Sequence, residues 1–158
     1  MKMNLFKKII LFTALILSVT SCGLDDTEPY NLKYIHIMMD EVSSTNVSAK
    51  AKVVGVYNVY LSSEAFTESV EVSYKIEVGD GLKEGVDFNM ITTGDKLVFL
   101  PGVFEMPIRI QWLPNINLDP EKNNTLKIVL LSNNRGYSIG LPGPDHNQSS
   151  FTIIKKIQ

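Results

Sequence analysis

Between residues 70 and 78 apolar and polar side chains alternate without a break. Val70, Val72, Tyr74, Ile76 and Val78 share one parity, and Glu71, Ser73, Lys75 and Glu77 share the other. Successive side chains of an extended strand point to opposite faces, so this run predicts a strand with one buried face and one wet face. Six further runs, at residues 34–39, 52–61, 96–100, 107–113, 125–131 and 150–156, follow the same rule. Each is rich in Val, Ile, Tyr or Phe, which pack well on a pleated surface. Turn formers separate the runs: Gly79, Asp80 and Gly81; Thr93, Gly94 and Asp95; Pro101 and Gly102; residues 115–124; and residues 141–147. No segment carries a helical stripe. About seven strands with this punctuation predict an all-β fold, an antiparallel sandwich of two sheets with Greek-key connections.

A different pattern occupies the amino terminus. Lys2, Lys7 and Lys8 precede an almost wholly apolar, uncharged stretch from residue 9 to residue 19. At about 11 residues it falls short of the roughly 20 needed to span a bilayer, so it reads as a secretory signal and not as an anchor. It ends in Val19, Thr20, Ser21 and Cys22, which resembles the bacterial lipobox, an aliphatic residue and two small ones before the cysteine that takes the lipid. The resemblance implies cleavage before Cys22 and lipidation there. Each buried methylene of an acyl chain contributes about 0.8 kcal/mol to membrane attachment, so several chains on one residue hold a protein firmly. Cys22 is the only cysteine, so no intrachain disulfide can form. The following Gly23, Leu24, Asp25, Asp26, Thr27 and Glu28 make a short acidic tether. Asp25, Asp26 and Glu28 resemble the surface-export signal of Bacteroidetes lipoproteins, which implies the outer face of the outer membrane; the alternative is an ordinary linker on the periplasmic face. The expected organisation is a signal peptide at 1–21, the lipidated cysteine and tether at 22–30, and one β-sandwich domain at 31–158.

Charge narrows the partners. Removing residues 1–21 takes three of the 15 basic residues and none of the 17 acidic ones, so the remaining chain is clearly acidic. Nucleic-acid affinity depends on clustered Lys and Arg that neutralise phosphates, and no basic stripe is present. The nearest approaches, Lys50 with Lys52 and Lys155 with Lys156, read as solvent-facing positions on strands or their ends.

Three segments in order resemble the Calx-beta domain, an immunoglobulin-like sandwich. Lys83, Glu84, Gly85, Val86, Asp87 and Phe88 are similar to its Glu-Gly-x-Asp-aromatic signature. Leu97, Val98, Phe99, Leu100, Pro101 and Gly102 are similar to its aromatic strand and Pro-Gly turn, with Ile108, Arg109 and Ile110 following. The run from Asn124 to Leu131 is similar to its penultimate strand, and Gly136, Tyr137, Ser138, Ile139 and Gly140 lead into a last one. The resemblance covers roughly residues 70–154 and extends to the Calx-beta-like domains of small Bacteroidetes lipoproteins. Family members that bind calcium carry an acidic pair after the Ile-x-Ile strand, where this chain has Leu113, Pro114, Asn115, Ile116 and Asn117. Calcium needs about six to eight oxygen ligands, and nothing in the sequence makes Asp80, Glu84, Asp87, Asp119, Glu121 and Asp145 converge. No cofactor is expected, and calcium binding is disfavoured.

Little catalytic chemistry is legible. His36 lies in an alternating run and His146 in a loop, and neither has metal-ligand spacing to another His or Cys. There is no nucleophile elbow, no phosphate loop and no Cys–His pair with Cys22 acylated. A pair of acids meeting from two loops is the remaining enzymatic possibility. A glycan-binding surface would need exposed rings, with Trp112, Tyr137, Tyr57 and Tyr60 as candidates and Tyr137 and Trp112 as the named contacts. Trp112 continues the face of Ile108 and Ile110, which favours the core over a glycan contact, and for Tyr137 beside Gly136 a ring packed over a strand end is likewise the favoured alternative. The expected function is that of a non-catalytic outer-membrane lipoprotein that binds a polysaccharide or an outer-membrane protein. The rivals are an adhesin-like interaction module and a small surface or periplasmic enzyme. Exposed aromatics in a row would favour glycan binding, an uncovered apolar edge a protein partner, and a deep acidic cleft catalysis.

Overall fold

Alternation at residues 70–78 does produce a strand whose Val70, Val72 and Tyr74 are buried while Lys75 and Glu77 face water. The computed structural model describes residues 31–157; the expectations for residues 1–21, for Cys22 and for Asp25, Asp26 and Glu28 lie outside the described residues. Ten strands are present: β1 (Tyr34–Met38), β2 (Ser44–Ser48), β3 (Val53–Ser62), β4 (Val70–Val78), β5 (Phe88–Met90), β6 (Lys96–Phe99), β7 (Glu105–Trp112), β8 (Thr125–Asn133), β9 (Ser138–Ile139) and β10 (Ser150–Lys156). The seven predicted runs all became strands. The three additions, β2, β5 and β9, are short and each lies at the edge of a sheet.

The protein is an all-β sandwich. One sheet has the order β5-β7-β3-β1-β9 and the other β2-β10-β8-β4-β6. Odd-numbered strands all lie in the first sheet and even-numbered strands in the second, so every connection crosses the sandwich and no two consecutive strands pair. Pairing is antiparallel except where β9 joins β1 and β2 joins β10. The inner faces bring together Ile35, Val59 and Ile110 of the first sheet with Val72, Ile128 and Phe151 of the second, each fully buried.

Strand direction sorts the loops into two ends. β1 starts, β3 stops, β4 starts, β6 stops, β7 starts and β8 stops at one end, where Tyr34 pairs with Ser62 and Ser138, and Val70 with Phe99. The other end holds the segments before β5, between β7 and β8, and after β10.

Candidate functional site

The aromatic candidates separate cleanly on this frame. Trp112 is fully buried, its Nε1–H donating to the Tyr57 hydroxyl at 2.9 Å, and Tyr57 itself lies against Phe151 at 5.5 Å between centroids. Burial pushes the Tyr57 hydroxyl above its ordinary pKa, and the bond from Trp112 offsets part of that. Trp112 is therefore corrected from glycan contact to core, because an indole N–H can be buried only with an acceptor beside it. Tyr137 is a different case, partly exposed beside the core, and the Asn133 side chain holds its backbone N–H and C=O at 3.0 and 2.7 Å.

The rings that do face outward lie on the opposite side of the first sheet. Register places Tyr34 beside Ser62 and Ser138, His36 beside Tyr60, and Tyr60 beside Glu105. The His36 imidazole stacks on Tyr60 at 5.4 Å with 25° between planes, and the Tyr34 ring lies 5.3 Å from it, tilted by 40°. The result is a row, Tyr34–His36–Tyr60. The imidazole is covered by its neighbours to 8% exposure, and its Nδ1 has no hydrogen-bond partner. Burial lowers the His36 pKa, so the ring is neutral at pH 7. Asn58 and Ser62 flank the row on β3 and Glu105 on β7, offering side-chain donors and acceptors. Along the same face Val54 and Val56 are about half exposed. Across β1, β3 and β7 this face carries only Glu105 and Arg109 as charges, whereas the outer face of the second sheet carries Glu71, Lys75, Glu77, Lys96, Lys127 and Lys156. The two faces are chemically unlike, and the first carries the fewer charges.

At the far end Asp87 anchors a buried polar cluster. Gly85, at φ +82°, lets the chain turn so that the Lys83 amide donates to Asp87 Oδ2 at 2.9 Å while the Asp87 amide returns a bond to the Lys83 carbonyl. Asp87 Oδ1 accepts from Asn115 Nδ2 and from Lys155 Nζ, both at 2.9 Å. The Lys155 ammonium also donates to the carbonyls of Asp87 and Leu113, which uses all three of its protons. Lys155 is 1% exposed, which corrects the solvent-facing reading; it continues the inward parity of Phe151 and Ile153. Burial alone would raise the Asp87 pKa, but the bonds from Lys155, Asn115 and Lys83, with the lysine charge, outweigh it and hold the carboxyl below its ordinary value.

The carboxylates weighed for calcium are dispersed. Asp80 caps the Asn123 amide, Glu84 the Met90 amide and Asp119 the Glu121 amide, and Asp87 is committed to Lys155. Among the described residues no group of three or more Asp, Glu, His or Cys is placed to hold a metal. His146 sits exposed in the segment before β10. An open cleft at the far end is lined by Leu118, Lys122, Asn123, Lys156 and Ile157 among others, and none of its lining residues is acidic.

No protein-family model matches the sequence, and no curated protein matches it. Solved structures do. The chain is similar to the CBD12 structure from CALX1.2 with a TM-score of 0.54 at 16% identity, covering 77% of this chain and 45% of that one. It is similar to the Calx CBD2 domain with a TM-score of 0.54 at 14% identity, covering 79% of this chain and 86% of that one. The chain thus spans under half the length of the CBD12 structure. At these identities the likeness defines the fold, which is Calx-beta-like.

Proposed function

We propose that this chain is a non-catalytic outer-membrane protein, anchored through a lipid on Cys22 and displayed at the cell surface, whose sandwich binds a glycan as part of a polysaccharide-uptake system. The observation that carries the reading is the Tyr34–His36–Tyr60 row on a charge-poor sheet face with hydrogen-bonding side chains along its margin. Sugars present apolar C–H faces to aromatic rings while neighbouring polar groups take their hydroxyls. Tyr34 and Tyr60 supply the rings, and Asn58, Ser62 and Glu105 supply the polar margin. The test is a glycan array with the chain from Cys22 onward, with and without calcium, followed by titration of Tyr34→Ala and Tyr60→Ala. A glycan whose affinity falls at least tenfold in both variants supports the reading. Binding unchanged in both sinks the proposed face.

Anchoring has its own test. Cys22→Ala should release the protein from membranes, and joint replacement of Asp25, Asp26 and Glu28 should cut surface exposure to protease on whole cells. A second reading, a protein-interaction or adhesin-like module, rests on Val54 and Val56, which extend the same face with exposed apolar surface. Cross-linked protein partners lost in Val56→Glu, with no glycan bound, would favour it.

A further inference from the structure

We infer that the end of the sandwich at which the described chain begins is a membrane-docking tip, with Leu100, Phe104 and Leu32 entering the headgroup layer of a lipid bilayer. The inference rests on the anchoring of Cys22 proposed above. The tip is a rigid device. Leu100 to Val103 form a tight turn closed by the Val103 amide on the Leu100 carbonyl at 2.9 Å, with Pro101 at its corner and Gly102 at φ +82°, as a type II turn requires. The Leu61 amide pins the Phe104 carbonyl at 2.9 Å, and Phe66 meets the Phe104 ring edge-on at 5.4 Å. Held in this way, Leu100 is 58% exposed, Leu32 53% and Phe104 38%. Large apolar side chains fixed outward on tight turns have no core to join, whereas a bilayer interface accepts them.

Exposed apolar residues also occur at the far end, Ile116 at 71% among them, so chain geometry decides between the two. The described chain begins at the tip, where the Ser138 amide bonds the Lys33 carbonyl at 3.1 Å. Nine residue steps separate Cys22 from residue 31, and nine residues span at most about 30–32 Å when fully extended. The ten residues of β3 are themselves about 33 Å long at the usual rise. An anchored tether therefore cannot comfortably carry the far end to the membrane, while it holds the tip beside it at high effective concentration.

The experiment couples the Cys22 thiol, the sole thiol of the chain, to a maleimide-headgroup lipid in phosphatidylcholine vesicles containing brominated phosphatidylcholine. Tryptophan emission is read for Phe104→Trp, Leu100→Trp and Ile116→Trp; buried Trp112 gives the common background. The expected result is at least twofold quenching of the new tryptophan at 104 and 100, and none at 116. Leu100→Trp serves if Phe104→Trp disturbs the Phe66 contact. Absence of quenching at both tip positions, or equal quenching at 116, overturns the inference. Because the coupling is chemical, this outcome is separate from a failure of lipidation in cells, which the Cys22→Ala fractionation reads.

Discussion

Replacing Lys155 by Met keeps most of the apolar stem of the side chain and deletes the ammonium, with its charge and its three donors. Asp87 is then left buried with Asn115 and the Lys83 amide but without its counterion, and the carbonyls of Asp87 and Leu113 each lose a donor. Breaking a buried pair by removing one partner costs about 3–5 kcal/mol, most of it the desolvation of the group left behind. With a urea slope of about 2 kcal/mol/M, as small domains show, the unfolding midpoint should fall by about 2 M. The assay is equilibrium urea unfolding followed by far-ultraviolet circular dichroism at pH 7 for wild type, Lys155→Met, Asp87→Asn and the double variant. Since the two side chains touch, the double variant should be less damaged than the two single losses combined, by about 1–3 kcal/mol of coupling. A midpoint shift under 0.5 M for Lys155→Met, or simple additivity, would refute the claim that the pair is a buried, mutually dependent unit.

Acid should act in two stages. The depressed His36 pKa means that the unfolded chain binds a proton first, so stability declines as pH falls below 6.5, and His36→Phe should abolish that stage in a pH series of urea midpoints. The depressed Asp87 pKa means that its contribution is complete above 3.8 and is lost as pH falls through the lower folded value, a stage that Asp87→Asn should remove. Tyr57→Phe strips the acceptor from the Trp112 N–H and should cost about 1–3 kcal/mol, read by urea unfolding together with a shift in tryptophan emission. Gly140 holds φ +85°, and a Cβ there would collide with the His146 carbonyl, so Gly140→Ala should destabilise by at least about 1–3 kcal/mol in the same assay.

Sheet interiors were legible in the sequence because central strands bury one face completely and their period of two survives intact. Of the four edge strands only β6 was legible, and the other three were not. β2 reads Ser-Thr-Asn-Val-Ser, β5 has three residues and β9 two, too few to show a period, and each is fixed by one neighbour only. Lys155 was legible in principle, since it shares the inward parity of Phe151 and Ile153, but residue type outweighed pattern until Asp87 was seen to meet it from 68 positions away. The aromatic row divides in the same way. Tyr34 and His36 are two apart and so share a face, whereas Tyr60 joins them only through the β1–β3 register, which no local signal reports. Trp112 was drawn toward the surface by its chemistry and toward the core by its parity, and parity prevailed.

The strict alternation of strands between the sheets bears on the export proposed above. With no hairpin to nucleate it, the sandwich forms through distant pairings alone, such as Val72 with Asn133, which is a slow route because long loops must close before any contact repays them. β10, the last strand in order, sits inside its sheet between β2 and β8 and brings the cation that Asp87 waits for. A chain threaded through a translocon amino terminus first thus has β8 unpartnered along one side, β2 without a neighbour, and a carboxylate uncompensated, until β10 emerges. For the proposed export, this strand order delays locking of the domain until β10 has crossed.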